Sequence, residues 1–196
     1  YKQMLMVAGM EKYFQVVRCF RDEDTRGDRQ AEFTQLDLEM SFVEQEDILT
    51  LVEKLVTEVM SKIKPEAKIS FPRITYHEAM AKYNSDKPDI RKDKSDPNEF
   101  AFLWVTDFPM FEYKKGDKRW GAVHHPFTAI NPADLHLLAE KKLENIRACQ
   151  YDLVLNGSEI AGGSIRTHDP KILYQVFEIL GHSGAEIEAK FGHLLE

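Results

Sequence analysis

Cysteine is nearly absent from this sequence: Cys19 and Cys149 are the two among 196 residues, and they form no CxxC pair. That excludes a disulfide-built scaffold and a cysteine-zinc module, and it fits a reduced, cytoplasmic compartment. No apolar run approaches the roughly 18 residues of a membrane span, and the amino end has no basic stretch leading into an apolar signal segment, so no membrane partner is expected. A net positive charge is missing as well. With 33 acidic against 26 basic side chains the formal charge is -7, so the average field does not attract nucleic acid, although a local site still can. What the chain does have is 43% apolar residues, enough for the core of one substantial domain or two small ones.

Residues 13–42 organise the rest. Two alternating, strand-like runs flank about a dozen strongly charged residues, with Gly27 allowing a tight loop. Side chains alternate along a strand, so Phe14, Val16 and Arg18 share one side of the first run, and Phe33, Gln35, Asp37 and Glu39 share one side of the second. Patterned polar groups are costly unless partnered, which marks a binding face. The loop residues Arg21, Asp22, Glu23, Arg29 and Gln30 read either as an ordinary solvated turn or as a triphosphate pocket without a glycine-rich loop. In the second reading Arg21 and Arg29 fork onto phosphate oxygens, and Phe33 offers a stacking surface.

Residues 46–64 form an amphipathic helix expected to cover the back of the hairpin, and Pro65 helps to end it. Thr75 and Glu78 read as a capping box for a helix through Tyr83, with His77 on its surface. Residues 84–99, rich in alternating charge, read as a surface connection. The uncharged run 100–106 is the strongest buried strand, and a hairpin turns at Lys115, Gly116 and Asp117. His124 and His125 point to opposite faces of an extended chain, which suits one histidine at a substrate better than two on one metal. Residues 133–149 carry leucines at helical spacing. A strand from Tyr151 turns at Asn156 and Gly157 into a second run, where Gly162 and Gly163 permit close approach of a ligand and Arg166 follows. Asp152 and Glu159, on facing strands, either hold a hard cation such as Mg2+ or belong to a salt-bridge network. Two amphipathic segments end the chain.

Five segments in order, residues 20–42, SDKPDIR at 85–91, LWVTDFPMFE at 103–112, HHPFT at 124–128 and YDLVLNGSEIAGGSIR at 151–166, resemble bacterial-type aspartyl-tRNA synthetase, a class II aminoacyl-tRNA synthetase. The resemblance implies an α+β fold, an antiparallel sheet flanked by helices and incomplete at both ends. Motif 1 and the dimer contact would lie before it and motif 3 after it. It also implies a partial catalytic domain over residues 1–196, with a shortened charged junction at about 84–99 in place of an insertion domain. The implied partners are L-aspartate, ATP with Mg2+, and tRNA, in a homodimer when the protein is complete. Arg21 would touch the α-phosphate and the activated carboxylate, and would act with Glu23 in catalysis. Asp22, Glu23, Arg29, Gln30, Phe33 and Glu159 would place ATP, and Asp152 and Glu159 would hold the metal. Arg21, Gln35, Asp37, His124 and Arg166 would bind aspartate. Ala161 stands where the family has the first of three glycines. The isolated segment is expected to be inactive or weak, and the alternative is a non-catalytic nucleotide- or protein-binding domain derived from this core.

Overall fold

The computed structural model describes residues 1–22, 24–25, 29–192 and 195, and the chain divides into Tyr1–Val52 and Glu53–Glu196. In the first unit a short helix α1 (Lys2–Val7) leads through Gly9, at a φ of 91°, into strand β1 (Lys12–Phe20). That strand pairs antiparallel with β2 (Glu32–Met40), close to the expected limits. The register sets Gln15 opposite Asp37, Val17 opposite Gln35 and Cys19 opposite Phe33, so these side chains share one face. Arg18 pairs with Thr34 and falls on the other face, where its Nε lies 3.3 Å from Glu32.

The face bearing Arg18 is the apolar one. Phe14 is 72% exposed, Val16 71% and Phe20 70%. Helix α2 (Gln45–Ile63) buries Ile48 and Leu49, but Leu51, Leu55, Val59 and Ile63 along its stripe are exposed.

The second unit is built on a four-stranded sheet. β3 (Arg73–Thr75) ends where the Thr75 and Glu78 capping box starts α3 (Tyr76–Tyr83), as the spacing predicts. Parallel to β3 runs β4 (Phe102–Thr106), whose Phe102, Leu103, Trp104 and Val105 are all 2% exposed or less. Full burial of each such side chain stabilises by about 1.5–3 kcal/mol. A second ribbon, β5 (Phe111–Lys114) and β6 (Arg119–Ala122), turns at the expected residues. After a four-residue helix α4 (His136–Ala139), β7 (Gln150–Leu155) and β8 (Ser158–Ser164) complete the order β3-β4-β7-β8. The last two pairings are antiparallel, so the sheet is mixed, within an α+β arrangement whose helices include α5 (Pro170–Ile179) and α6 (Gly184–Phe191).

Two expectations need correction. The helix expected within residues 133–149 is only the four residues of α4, flanked by two 3-10 turns, Pro132–Asp134 and Leu143–Asn145. Asp134 is turned inward, accepting from Arg147 Nε at 2.8 Å, Nη2 at 3.0 Å and the backbone N–H at 3.0 Å, and Lys141 takes a φ of 57°. A continuous helix permits neither. The charged junction, too, is a surface connection in its second half alone. Pro88 is buried, and Ile90 packs with Ala79, Leu103, Val105, Phe108 and Val154. The fork of Arg91 on Asp89, Nη2 to Oδ2 at 2.7 Å, sits beside the Asn156–Gly157 turn and holds the Asp89 carboxyl down to about 2.

Candidate functional site

Site residues fall on both units. On the polar face of the first, Asp37 accepts from Lys2 Nζ at 2.6 Å and from Gln15 Nε2 at 3.4 Å, and Lys2 also lies 3.8 Å from Glu39. Sequence reasoning misses Lys2, because nothing in a lone lysine reveals an ion pair formed 35 residues away. Its ammonium is held between the Asp37 and Glu39 carboxylates. Gln35 accepts from Cys19 Sγ at 3.7 Å. At the ribbon end the Arg21 guanidinium carbon sits 5.0 Å from the Phe33 ring centre, so these two expected nucleotide contacts meet. A base stacking on that side of Phe33 requires Arg21 to swing away. Asp22, Arg29 and Gln30 are exposed beside them, and Glu23 lies outside the described residues.

On the second unit the β7–β8 register brings the other candidates together. Asp152 faces Gly162, and a bulge at Leu153 and Val154 lets Glu159 pair with Val154. A Cβ on Gly162 would come 2.6 Å from Asp152 Oδ1 and 3.3 Å from Glu159 Oε1, so both carboxylates reach over that glycine because it has no side chain. The neighbouring Gly163 makes room for the Tyr151 ring in the same way. Burial, then the charge of Glu159, pushes the Asp152 carboxyl up to about 7, and a hydrogen bond from Gln150 Nε2 at 2.9 Å offsets part of that. Two crowded carboxylates, one of them destabilised as an anion, form a donor set that suits a hard divalent cation. Among the described residues no third carboxylate, histidine or cysteine completes a cluster for a metal held by protein alone.

The two histidines separate as the sequence predicts. His124 turns towards Asp152, with Nε2 3.8 Å from Oδ2, and its ring meets Phe108 edge-on at 4.8 Å. Burial lowers its pKa, so the ring is neutral at pH 7. His125 Nδ1 accepts from the Phe127 N–H at 3.2 Å, and burial followed by the charge of Arg166 lowers its pKa. Of the two, His125 therefore feels the guanidinium, while His124 belongs with the carboxylates.

Arg166 is held on an extension of β8. Thr128 bridges to it, the Ala129 N–H donates to Ile165 O at 2.7 Å, and the Thr167 N–H donates to Phe127 O at 2.9 Å. Phe127 in turn lies edge-on to Phe177 at 5.8 Å and to Phe191 at 5.9 Å, which ties the loop to α5 and α6. Arg166 Nη1 is buried with no hydrogen-bond partner among the described residues. An unpaired guanidinium nitrogen is costly, and an anion seated on it would remove that cost.

The whole chain, residues 1–196, matches the family described as tRNA synthetases class II (D, K and N). It is 33% identical to an aspartate–tRNA ligase of Limosilactobacillus reuteri, over 100% of this chain and 54% of that protein. It is 34% identical to an aspartate–tRNA(Asp/Asn) ligase of Desulfosudis oleivorans, over 100% of this chain and 53% of that one. The chain thus spans about half the length of the curated relatives it matches. Among solved structures, an aspartyl-tRNA synthetase of Entamoeba histolytica superposes with a TM-score of 0.68 at 23% identity, covering 100% of this chain and 42% of its own. An asparaginyl-tRNA synthetase from the same organism, solved with asparaginyl-adenylate, gives 0.61 at 22%, covering 95% and 46%. At those identities the superpositions establish the fold.

Proposed function

The chain belongs to the class II tRNA synthetases of the D, K and N group, related to the aspartate and asparagine ligases, and from that premise we propose that it serves an aspartate–tRNA ligase. The observation that carries this reading is Arg166, with a buried Nη1 lacking a partner among the described residues. Its fork matches a carboxylate, which accepts at both oxygens, whereas an asparagine amide would set its own NH2 donors against the guanidinium. In the reaction, the α-carboxylate of aspartate attacks the α-phosphorus of ATP and pyrophosphate leaves. The aspartyl group then passes to the terminal adenosine of tRNA, and AMP is released.

In this reading Arg21 supplies fixed positive charge where negative charge grows in the transition state, and a lost donor of this kind costs about 2.7–4 kcal/mol. Arg29, Gln30, Asp22 and Glu23 place the triphosphate, and Phe33 carries the adenine once Arg21 has moved to phosphate. Asp37 and Gln35 take the substrate ammonium, for which Lys2 is the competing cation, and His124 stands near the carboxylates. Mg2+ bound by Asp152 and Glu159 would neutralise phosphate charge. None of these residues becomes a covalent nucleophile. The work is positioning and charge stabilisation.

The shortened junction belongs to the same proposal. Its support is that the match to the Limosilactobacillus reuteri protein runs over 321 residues, longer than the 196 of this chain, so that protein carries internal sequence this one lacks. A homodimer completes the proposal, and sedimentation of the full-length protein tests it. Aspartate-dependent exchange of pyrophosphate into ATP tests the function, in a chimaera where this chain replaces the matching stretch of the Limosilactobacillus reuteri ligase. Exchange that prefers asparagine, or none from a folded chimaera, would reject the assignment, the second outcome favouring a non-catalytic derivative.

A further inference from the structure

The β5–β6 ribbon reads FEYKKGDKRWGA and is cationic in a chain of net charge -7. Lys114, Lys115, Lys118 and Arg119 stand against Glu112 and Asp117 within this ribbon. Two of the four cations are loosely neutralised: Lys114 lies 3.8 Å from Glu112 and Arg119 lies 3.6 Å from Asp117. Lys115 and Lys118 join no ion pair among the described residues, and every residue from Glu112 to Arg119 is exposed. An ordinary solvated tip would scatter both signs. Here the acids pair with two cations and leave two others projecting.

The ribbon is also anchored. Phe111 is buried with Met110, Ile146 and Val176, and the Val123 N–H donates to Met110 O at 3.1 Å. Trp120 packs on that cluster and meets Tyr113 edge-on at 5.4 Å, while Tyr113 stays 50% exposed. The strand that leaves the tip ends at Ala122, two residues before His124. At no more than about 3.3 Å per residue, the five steps from Arg119 put that cation within roughly 17 Å of His124, with Lys118 one step further. A rooted ribbon of cations with a half-exposed aromatic ring is the combination that follows a nucleic-acid strand.

We propose that the Lys114–Arg119 tip is an RNA contact that holds backbone phosphates of the strand entering the site, with Tyr113 available to a base. This rests on the tRNA reading above and extends it to a surface to which that reading assigns neither aspartate nor ATP. The choice of RNA over another polyanion follows from the half-exposed Tyr113 ring beside the two cations left unpaired among the described residues, together with the match to the tRNA synthetases.

The test is fluorescence anisotropy of a labelled RNA stem–loop with a single-stranded 3′ end, titrated with the 196-residue chain at several salt concentrations. The variant is Lys115→Gln with Lys118→Asn. Asparagine suits the φ of 51° at position 118, so the turn is kept. Each lost phosphate contact should lower the slope of log K against log salt by about 0.7–0.9. The pair should therefore make the loss of affinity between about 50 and 200 mM salt about ten-fold smaller, with weaker binding at the low end. If Trp120 fluorescence shows a disturbed ribbon, Lys115→Gln alone should give one such step.

Equal affinity and slope in variant and parent would overturn the proposal, as would no RNA binding by the parent at low salt. Competition by anionic phosphatidylglycerol vesicles as effective as unlabelled RNA would also overturn it, marking a lipid surface. Pyrophosphate exchange in the chimaera separates the two claims. Normal exchange with RNA binding that ignores the tip rejects the contact alone, whereas tip-dependent RNA binding without exchange rejects the ligase alone.

Discussion

Replacing Asp152 by asparagine should stabilise the protein, and by an amount that grows with pH. The structure raises the folded carboxyl from 3.8 to about 7, through burial and then the charge of Glu159. An acid whose folded pKa is raised binds its proton more tightly when folded, so its contribution is fully favourable below 3.8. That contribution is lost as pH climbs towards about 7. About three units at about 1.4 kcal/mol each give a cost of about 4 kcal/mol above pH 7. The asparagine side chain carries no charge at any pH, and its carbonyl oxygen can still accept from Gln150. The assay is urea unfolding of parent and Asp152→Asn in EDTA at several pH values from about 4 to 8, spanning the titration of the raised carboxyl. Unfolding is followed by fluorescence of Trp104 and Trp120, the two tryptophans of the chain, both in the unit that holds these carboxylates. The variant should match the parent near pH 4 and exceed it increasingly towards pH 8. Added Mg2+ should stabilise the parent and not the variant. A constant stability difference across this range would refute the buried, crowded carboxylate.

Gly162→Ala should abolish the Mg2+ stabilisation while leaving the sheet folded, because a methyl group there would lie 2.6 Å from Asp152 Oδ1; titration calorimetry with Mg2+ checks it. Asp134→Ala should cost about 2 kcal/mol by leaving Arg147 without its fork, measured by urea unfolding near neutral pH. Arg147 holds the Asp134 carboxyl below its usual range, so this stabilisation should be present above about pH 4 and fade as pH falls through the lowered value. In the chimaera, Arg21→Ala should lower pyrophosphate exchange about 100-fold or more with aspartate saturating, since the interaction belongs to the transition state, and a change in KM alone would contradict that.

The elements legible in the sequence are those whose signal is local. β1 and β2 alternate at period two around a charged loop, β4 is an uncharged β-branched and aromatic run, and the Thr75–Glu78 box is a short local pattern. Residues 133–149 mislead because Leu135, Leu138 and Ile146 satisfy a helical period, while the inward Asp134 is explained by Arg147, distant in the chain. Ile90 is hidden among charges for the same reason: what buries it is contact with α3 and β4. In the site, the convergence of Asp152 and Glu159 follows from paired strands with a glycine opposite. The bulge that aligns them, the pairing of Lys2 with Asp37 and the contact of Arg21 with Phe33 are tertiary facts that no spacing encodes.

Amino-acid choice at Arg166 is the centre of the account, and the most direct measurement is pyrophosphate exchange in the chimaera with aspartate and asparagine side by side, for the parent and for Arg166→Lys. The parent should use aspartate at least about 100-fold better than asparagine, as expected where a buried polar group is left unpaired by the wrong substrate. The lysine variant should lose most of its kcat/KM for aspartate while folding normally, because one ammonium cannot replace a planar fork. Near-normal aspartate preference in Arg166→Lys, or a parent that favours asparagine, would contradict it.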